Sequence, residues 1–134
     1  MASVLRSETV PVRSDHDLVT ARQLVRQIAI EAGFRLIDQT KVVTAVSELA
    51  RNTVIHGGGG SMTVEVLTGP STGLRLTFID TGPGIADLAS ALKGGVSTGH
   101  GLGLGLSGSK RLMNEFDIET APGKGTKVTV TKWK

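Results

Sequence analysis

The sequence predicts one domain that combines a β-sheet with helices, and three kinds of segment carry this prediction. Several segments alternate apolar and polar residues, which is the period of a strand with one buried face. Two others repeat apolar residues at helical spacing, and a glycine-rich stretch leads into a third helix. This mixture of elements indicates an α+β domain.

The N-terminal part is predicted to form a strand and then a helix. Residues from Val4 to Val12 alternate, and the strand ends near Pro11. Ser14 and Asp17 resemble a capping box in which the acid replaces the usual Glu or Gln. Apolar residues then recur at helical spacing up to Gly33, which suits a helix stop. They are Leu18, Ala21, Leu24, Val25, Ile28, Ala29 and Ala32.

A second helix is predicted from Asp38 to Ile55, and it carries the first candidate site residues. Glu48 and Asn52 are four residues apart, so they share a face beside the apolar stripe. An Asn carbonyl together with phosphate oxygens would suit Mg²⁺, and Glu48 could accept a proton from an attacking hydroxyl. For this pair considered alone, the alternative is that both side chains are solvated or cap the following loop. His56 is interpreted as a helix-end residue rather than a ligand.

The segment around Asp80 gives the second candidate site. Met62 to Thr68 and Leu74 to Ile79 form a predicted hairpin, which places Asp80 at a strand end. Gly82 and Gly84 allow positive φ and close backbone approach. A carboxylate beside bare backbone can accept a hydrogen bond from an exocyclic amine of a flat ligand. An ordinary turn after a strand is the alternative.

The glycine-rich stretch gives the third candidate site. A short helix is predicted from Ala86 to Leu92, then a loop from Lys93 to Gly105, then a helix from Ser107 to Phe116. Glycines ahead of a helix leave its first N–H groups free for an anion, so this stretch predicts a phosphate cradle. A Rossmann site is rejected because no strand precedes the glycines, and no Walker loop is present.

The C-terminal part is predicted to form two strands, Asp117 to Ala121 and Thr126 to Trp133. Thr126 would lie beside Asp80 if the last strand pairs with the Asp80 strand. The single Trp133 is interpreted as either a core residue or a partner-facing residue.

Composition narrows the class of protein. The 134 residues carry a net charge of +3, 3% aromatic residues and no cysteine. Scattered basic residues and few aromatics argue against a nucleic-acid partner, and no cysteine-based metal site or disulfide is possible. No segment has the length and apolarity of a membrane span or the pattern of a signal peptide, so a cytoplasmic protein without membrane attachment is expected.

The order of these sites resembles the GHKL ATPase and kinase superfamily over nearly the whole chain. Within it the sequence is most similar to the bacterial anti-sigma-factor serine/threonine kinases of the RsbT-type switch-kinase group. The segments that carry this resemblance are Ser47–Asn52, Gly95–Gly99, Lys110–Phe116 and Thr131–Lys134. The resemblance implies that residues 1–134 form a single two-layer α+β sandwich, the Bergerat ATP-binding fold, with a mixed, mostly antiparallel sheet covered by helices on one face.

The resemblance also implies a role for each site residue. Asn52 would coordinate the Mg²⁺ that bridges the ATP phosphates, and Glu48 would orient or deprotonate the substrate serine hydroxyl. Asp80 would bind the adenine amino group. The remaining positions are glycines and one threonine: Gly82, Gly84 and Thr126 around the base, and Gly101, Gly103 and Gly105 around the phosphates.

Three functions remain open from the sequence. The first is an ATP-dependent kinase that phosphorylates a STAS-domain antagonist and, once released, activates a PP2C-type phosphatase. The second is an anti-sigma factor that binds a sigma factor directly, and the third is a nucleotide-gated binder with negligible catalysis. The loop from Gly94 to Leu106 has no Lys or Arg to meet the γ-phosphate, so His100, Lys110 or a partner residue would have to serve.

Overall fold

A computed structural model describes residues 3–84 and 102–134, which form five strands and three helices. The strands are β1 (Ser3–Val12), β2 (Gly60–Thr68), β3 (Gly73–Asp80), β4 (Glu115–Thr120) and β5 (Thr126–Trp133). The helices are α1 (Asp15–Glu31), α2 (Leu36–Ile55) and α3 (Leu102–Leu112). The predicted helix from Ala86 to Leu92 lies outside the described residues.

The strands form one sheet in the order β1-β2-β3-β5-β4. Each described pair of neighbouring strands is antiparallel, whereas the resemblance implied a mixed sheet. For β1 and β2 the connection explains the antiparallel pairing. The two helices α1 and α2 together return the chain to the end of the sheet at which β1 finishes, so β2 starts beside the last residue of β1. The predicted pairing of the last strand with the Asp80 strand is confirmed, with Asp80 opposite Thr126.

The core lies between one face of the sheet and the helices, which confirms the predicted two-layer α+β sandwich. Leu74, Leu76 and Phe78 alternate along β3 with less buried residues, as one covered face requires. α2 contacts α1, α3 and the first three strands. Other fully or nearly fully buried apolar residues are Val25, Ile28, Val42, Leu49, Met62, Val64, Val128 and Val130.

Helix boundaries differ from the prediction at two places. The cap at Ser14 is confirmed, since its Oγ accepts a hydrogen bond from Asp17 N at 3.3 Å. α2 begins two residues before Asp38. α3 covers Leu102–Leu112 instead of Ser107 to Phe116, so two of the glycines expected ahead of the helix lie in its first turn. Phe116 belongs to β4 and pairs with Val130, because the sheet takes up the residues that follow the helix.

Trp133 ends β5 and is half-buried. Its indole Nε1 donates a hydrogen bond to the Glu115 carboxylate, and its ring lies against Gly73, where an added Cβ would be 2.6 Å from the ring. Trp133 therefore packs on the sheet beside Gly73, the first residue of β3 and its cross-strand partner.

A nearly buried lysine joins α2 and α3 at one end of the helical layer. Lys132 Nζ donates to the Leu112 carbonyl oxygen at 3.3 Å and lies 3.8 Å from Asp38 Oδ1. Asp38 is in the first turn of α2, whereas Leu112 is the last residue of α3. The two helices therefore run antiparallel, and the ammonium complements the negative end of the α3 dipole.

Replacing Lys132 with Met is expected to lower the free energy of unfolding by about 1–3 kcal/mol, because a hydrogen bond to a charged group is lost at a site that is largely buried. Urea denaturation measures this. Lys127→Met is the matched control on the same strand, since its ion pair with Glu119 is also 3.8 Å long but the lysine side chain is 50% exposed rather than 10%. The control should change stability by less than about 1 kcal/mol, and equal losses in both variants would contradict the role of burial.

Candidate functional site

A cavity of about 150 Å³ lies between the C-terminal half of α2 and the sheet. It brings together four of the predicted site residues, which are Asn52, Asp80, Gly84 and Thr126. The other lining residues are Leu49, Thr53, His56, Gly57, Phe78, Pro83, Leu106 and Val128. The walls are thus mainly apolar, with a few polar groups at fixed positions, as in sites for small organic ligands.

Asp80 is held at one end of this cavity by backbone on both sides. It is the last residue of β3 and pairs with Gly60 and Thr126. Its Oδ1 accepts a hydrogen bond from Gly82 N at 2.9 Å, which fixes the orientation of the carboxylate. A carboxylate fixed in this way is a preorganised acceptor for a ligand donor.

The glycine turn after Asp80 packs closely on its surroundings. Gly84 has a φ of +76°, and a Cβ added there would lie 2.0 Å from the Ala121 carbonyl oxygen. Gly82 does not have a positive φ, but its added Cβ would lie 2.7 Å from Gly57 Cα. Gly123 N donates to the Pro83 carbonyl oxygen at 2.7 Å, which attaches this turn to the β4–β5 turn.

Gly57 is a site residue that the sequence interpretation missed. An added Cβ at Gly57 would lie 2.3 Å from Asp80 Cγ, so a glycine is needed for the end of α2 to approach the end of β3. The run Gly57–Gly60 after the helix is the available signal, but such a run is equally typical of an ordinary helix end. His56 is the C-cap of α2, as predicted for a helix-end residue, and it also lines the cavity.

Replacing Gly57 with Ala is expected to weaken nucleotide binding by about tenfold, because Asp80 must move to admit the methyl group and a misplaced hydrogen bond costs about 1–2 kcal/mol. Isothermal titration calorimetry with ATP measures the change. Gly108→Ala is the control: it adds the same methyl group in α3 with no atom within 4 Å, and it should leave ATP affinity unchanged. Wild-type ATP affinity in Gly57→Ala would contradict the role of this close contact.

Asn52 lies on the wall of the cavity formed by α2 and has an unsatisfied amide. Its Nδ2 is buried and has no hydrogen-bond partner in the described ranges, 3–84 and 102–134. An unpaired buried polar group costs about 1–3 kcal/mol, so this position suits a bound ligand that pairs with the amide. Because the oxygen and nitrogen of an amide can exchange places by a flip, the Asn52 carbonyl oxygen can face the same space.

The donor set fits a cation held mostly by its ligand. The described part of the chain contains no group of three or more His, Cys, Asp or Glu side chains that could hold a metal. The Asn52 amide oxygen and phosphate oxygens are hard ligands, which Mg²⁺ accepts while it keeps several waters. The site therefore fits a magnesium nucleotide better than a free metal ion.

Glu48 is close to the cavity along the helix but does not line it. It is exposed, one turn before the half-buried Asn52, as the helical spacing predicted. It makes no hydrogen bond or ion pair with another described residue. Its carboxylate thus faces solvent beside the ligand position rather than inside it.

Thr126 and Leu106 of α3 border the remaining sides. Thr126 Oγ1 lies 3.0 Å from Thr120 Oγ1, so the two hydroxyls share a hydrogen bond at the β4–β5 turn. Gly103 and Gly105 lie in the first turn of α3, whose Leu106 lines the cavity. Gly101 and His100 fall outside the described residues. Lys110 is exposed in the last turn of α3, in the half of the helix that Lys132 contacts.

The cavity, the acid at a strand end and the helical Asn agree with one family of proteins. The family model of the histidine kinase-, DNA gyrase B- and HSP90-like ATPases matches residues 37–134. The chain belongs to this GHKL ATPase family. In the described residues of this GHKL protein, no helix is both long enough and apolar enough to cross a lipid bilayer.

Two curated GHKL relatives narrow the class of enzyme. The serine/threonine-protein kinase RsbT of Bacillus subtilis (strain 168) is 43% identical over 125 residues, which cover 92% of this chain and 94% of RsbT. An anti-sigma F factor of Thermoanaerobacter sp. (strain X514) is 30% identical over 118 residues, covering 84% and 82% of the two chains. The predicted class, an RsbT-like serine/threonine kinase with a GHKL ATP-binding domain, is confirmed.

Solved structures support the fold. The RsbU and RsbW domains of Rv1364c from Mycobacterium tuberculosis superpose with a TM-score of 0.67 at 23% identity, over 95% of this chain and 31% of that longer chain. Full-length ShkA in complex with AMPPNP superposes with a TM-score of 0.56 at 22% identity, over 97% of this chain and 32% of ShkA. At these identities the likeness concerns the GHKL fold alone.

Proposed function

We propose that this protein is an ATP-dependent protein kinase that phosphorylates a serine of a STAS-domain antagonist. When released from that antagonist, it binds and activates a PP2C-type phosphatase in a bacterial partner-switching cascade. The single observation that carries the proposal is the unpaired, buried Asn52 amide in a cavity that the fixed Asp80 carboxylate also lines. Such a cavity suits a ligand that has an amine for the carboxylate and a charged, cation-binding group for the amide.

The proposed roles follow from these positions. Asp80 accepts a hydrogen bond from the adenine amino group, and Gly82, Gly84 and Thr126 surround the base. The first turn of α3, with Gly103 and Gly105, faces its N–H groups and dipole toward the phosphates, and Gly101 precedes it. Asn52 would hold Mg²⁺, which would supply positive charge to the phosphate end of the ligand.

Glu48 is proposed to act on the acceptor protein. Its carboxylate takes the proton of the acceptor serine hydroxyl as the serine oxygen bonds to the γ-phosphorus. The bond between that phosphorus and the β–γ bridging oxygen breaks, and ADP leaves with the bridging oxygen. As an anion Glu48 cannot stabilise negative charge on the phosphates, so positioning and proton transfer are its two functions.

The test is transfer of labelled γ-phosphate from Mg-ATP to a panel of purified STAS-domain proteins. Label on a serine of one of them, with release of ADP in equal amount, supports the proposal. A second assay adds a PP2C-type phosphatase and asks whether the free kinase raises its activity and whether the unphosphorylated STAS protein prevents this. No label on any panel member despite tight ATP binding would contradict the kinase proposal.

The nucleotide-gated binder remains a second candidate because of one observation. The segment from Gly94 to Leu106 contains no Lys or Arg, and Lys110 is exposed in the last turn of α3. Without a cation at the γ-phosphate, transfer is slow. Retained complex formation that depends on ATP, without any labelled product, would favour this candidate, and a complex with a sigma factor would favour the anti-sigma alternative.

A further inference from the structure

The outer flank of α2 is a continuous exposed row that contains Glu48. Ile37, Thr44, Glu48 and Ile55 are spaced by seven, four and seven residues, which places them on one flank of the helix. All four are exposed, and the two isoleucines have 64% and 58% of their surface accessible. This row, called the α2 flank below, differs from the buried face formed by Val42, Ala45, Val46, Leu49, Ala50 and Thr53.

The α2 flank and the cavity lie on neighbouring sides of one helix. Asn52 and Thr53 line the cavity, whereas Glu48 is exposed outside it. A nucleotide in the cavity therefore reaches Asn52 from the side of the sheet. The acceptor hydroxyl that Glu48 deprotonates must then come from the solvent side of α2, next to the cavity rather than opposite to it.

We propose that the α2 flank, together with the adjacent Arg51, is the docking surface for the protein that presents the acceptor serine, with Ile55 and Arg51 as its main contacts. This inference rests on the proposed function, because it takes Glu48 as the group that meets the acceptor hydroxyl. Ile55 is two turns from Glu48, about 10 Å at 1.5 Å per residue. A surface of ordinary size, about 800 Å² per partner, that covers Glu48 also covers Ile55.

The charge of the flank determines the chemistry of the partner. Arg51 is exposed, lies one turn beyond Glu48, and forms no ion pair with another described residue. Lys41 is half-buried and lies two turns before Glu48, beside the same flank. Glu48 is the only acid between these two cations along the described flank, so the partner should carry a carboxylate near its acceptor serine and an apolar side chain for Ile55.

The variants Ile55→Asp and Arg51→Glu test this surface, and the probe is the STAS-domain protein that accepts label in the transfer assay. Each variant should raise the KM for that acceptor at least tenfold, with ATP affinity unchanged and kcat at saturating acceptor within about twofold. Calorimetric binding of the acceptor with its serine replaced by alanine should weaken by the same factor. A lysine placed at the acceptor carboxylate should restore binding to Arg51→Glu.

Leu5→Asp is the matched control. Leu5 is 68% exposed, more than Ile55, but it lies on β1 at the edge of the sheet. It should leave the acceptor KM unchanged. Arg51→Glu changes only an exposed side chain. If urea denaturation shows that Ile55→Asp is destabilised, the acceptor KM of Arg51→Glu is sufficient to test the surface.

Two results would overturn the inference in different ways. If Glu48→Gln abolishes transfer while both flank variants keep the wild-type acceptor KM, the docking surface is wrong and the kinase function stands. If the unsubstituted protein transfers label to no STAS-domain protein, the proposed function fails and the docking surface fails with it.

Discussion

Glu48→Gln is expected to lower the rate of phosphoryl transfer by about 100- to 10 000-fold while ATP affinity stays within twofold of the wild type. The amide has the same shape as the carboxylate but cannot accept the serine proton. Because Glu48 is exposed and lies outside the cavity, it makes no contact that a bound base would lose. Single-turnover transfer measures the rate, and calorimetry measures ATP binding.

Glu119→Gln provides the control for this change. Glu119 is an exposed glutamate on β4, and its loss removes the same charge without reaching the helical layer. Transfer by this variant should equal that of the wild type. A transfer rate for Glu48→Gln within threefold of the wild type would show that Glu48 is not the group that accepts the serine proton.

Asp80→Asn is expected to weaken ATP binding by about 10- to 100-fold, and the reason lies in the hydrogen bond from Gly82. Gly82 N donates to Asp80 Oδ1, so an asparagine there would keep its oxygen on Gly82 and turn its NH₂ group toward the ligand. A donor would then face the donor of the adenine amino group. Loss of a hydrogen bond to a charged group corresponds to about 1.5–3 kcal/mol.

The same geometry predicts the direction of a change in base preference. An NH₂ group at this position suits the carbonyl oxygen of guanine, so the ratio of GTP affinity to ATP affinity should rise in Asp80→Asn. Competition binding with both nucleotides measures the ratio. Asp117→Asn, at an exposed position of β4, is the control and should change neither affinity. Unaltered ATP affinity in Asp80→Asn would show that Asp80 does not bind the base.

The sequence predicted those parts of the site that depend on local pattern. The alternation from Leu74 to Ile79 placed Asp80 at a strand end, and the helical spacing placed Glu48 and Asn52 one turn apart. The contact of Gly57 with Asp80 was not predictable in this way, because it depends on how the end of α2 meets the end of β3. A run of glycines after a helix has the same local pattern whether or not a side chain packs on it.

The misplaced boundaries have a similar cause. The glycines of residues 101–105 favoured a helix start at Ser107, but α3 begins at Leu102 and includes Leu106, which packs in the interior. Phe116 fits the helical pattern with Leu112 and Met113, yet it pairs with Val130 in the sheet. Tertiary contacts outweighed local propensity at both positions.

The insertion of β5 between β3 and β4 has a consequence for synthesis of the protein on the ribosome. Asp80 and Thr126 are far apart in sequence but adjacent in the sheet. Forming this pair therefore costs conformational entropy, because the two ends of a long intervening segment must be brought together. A growing chain that has completed β3 carries Asp80 and Asn52 but lacks the strand that forms the adjoining wall. The cavity wall beside Asp80 is therefore completed only when β5 has joined the sheet, so formation of the site depends on a contact between residues that are distant in sequence.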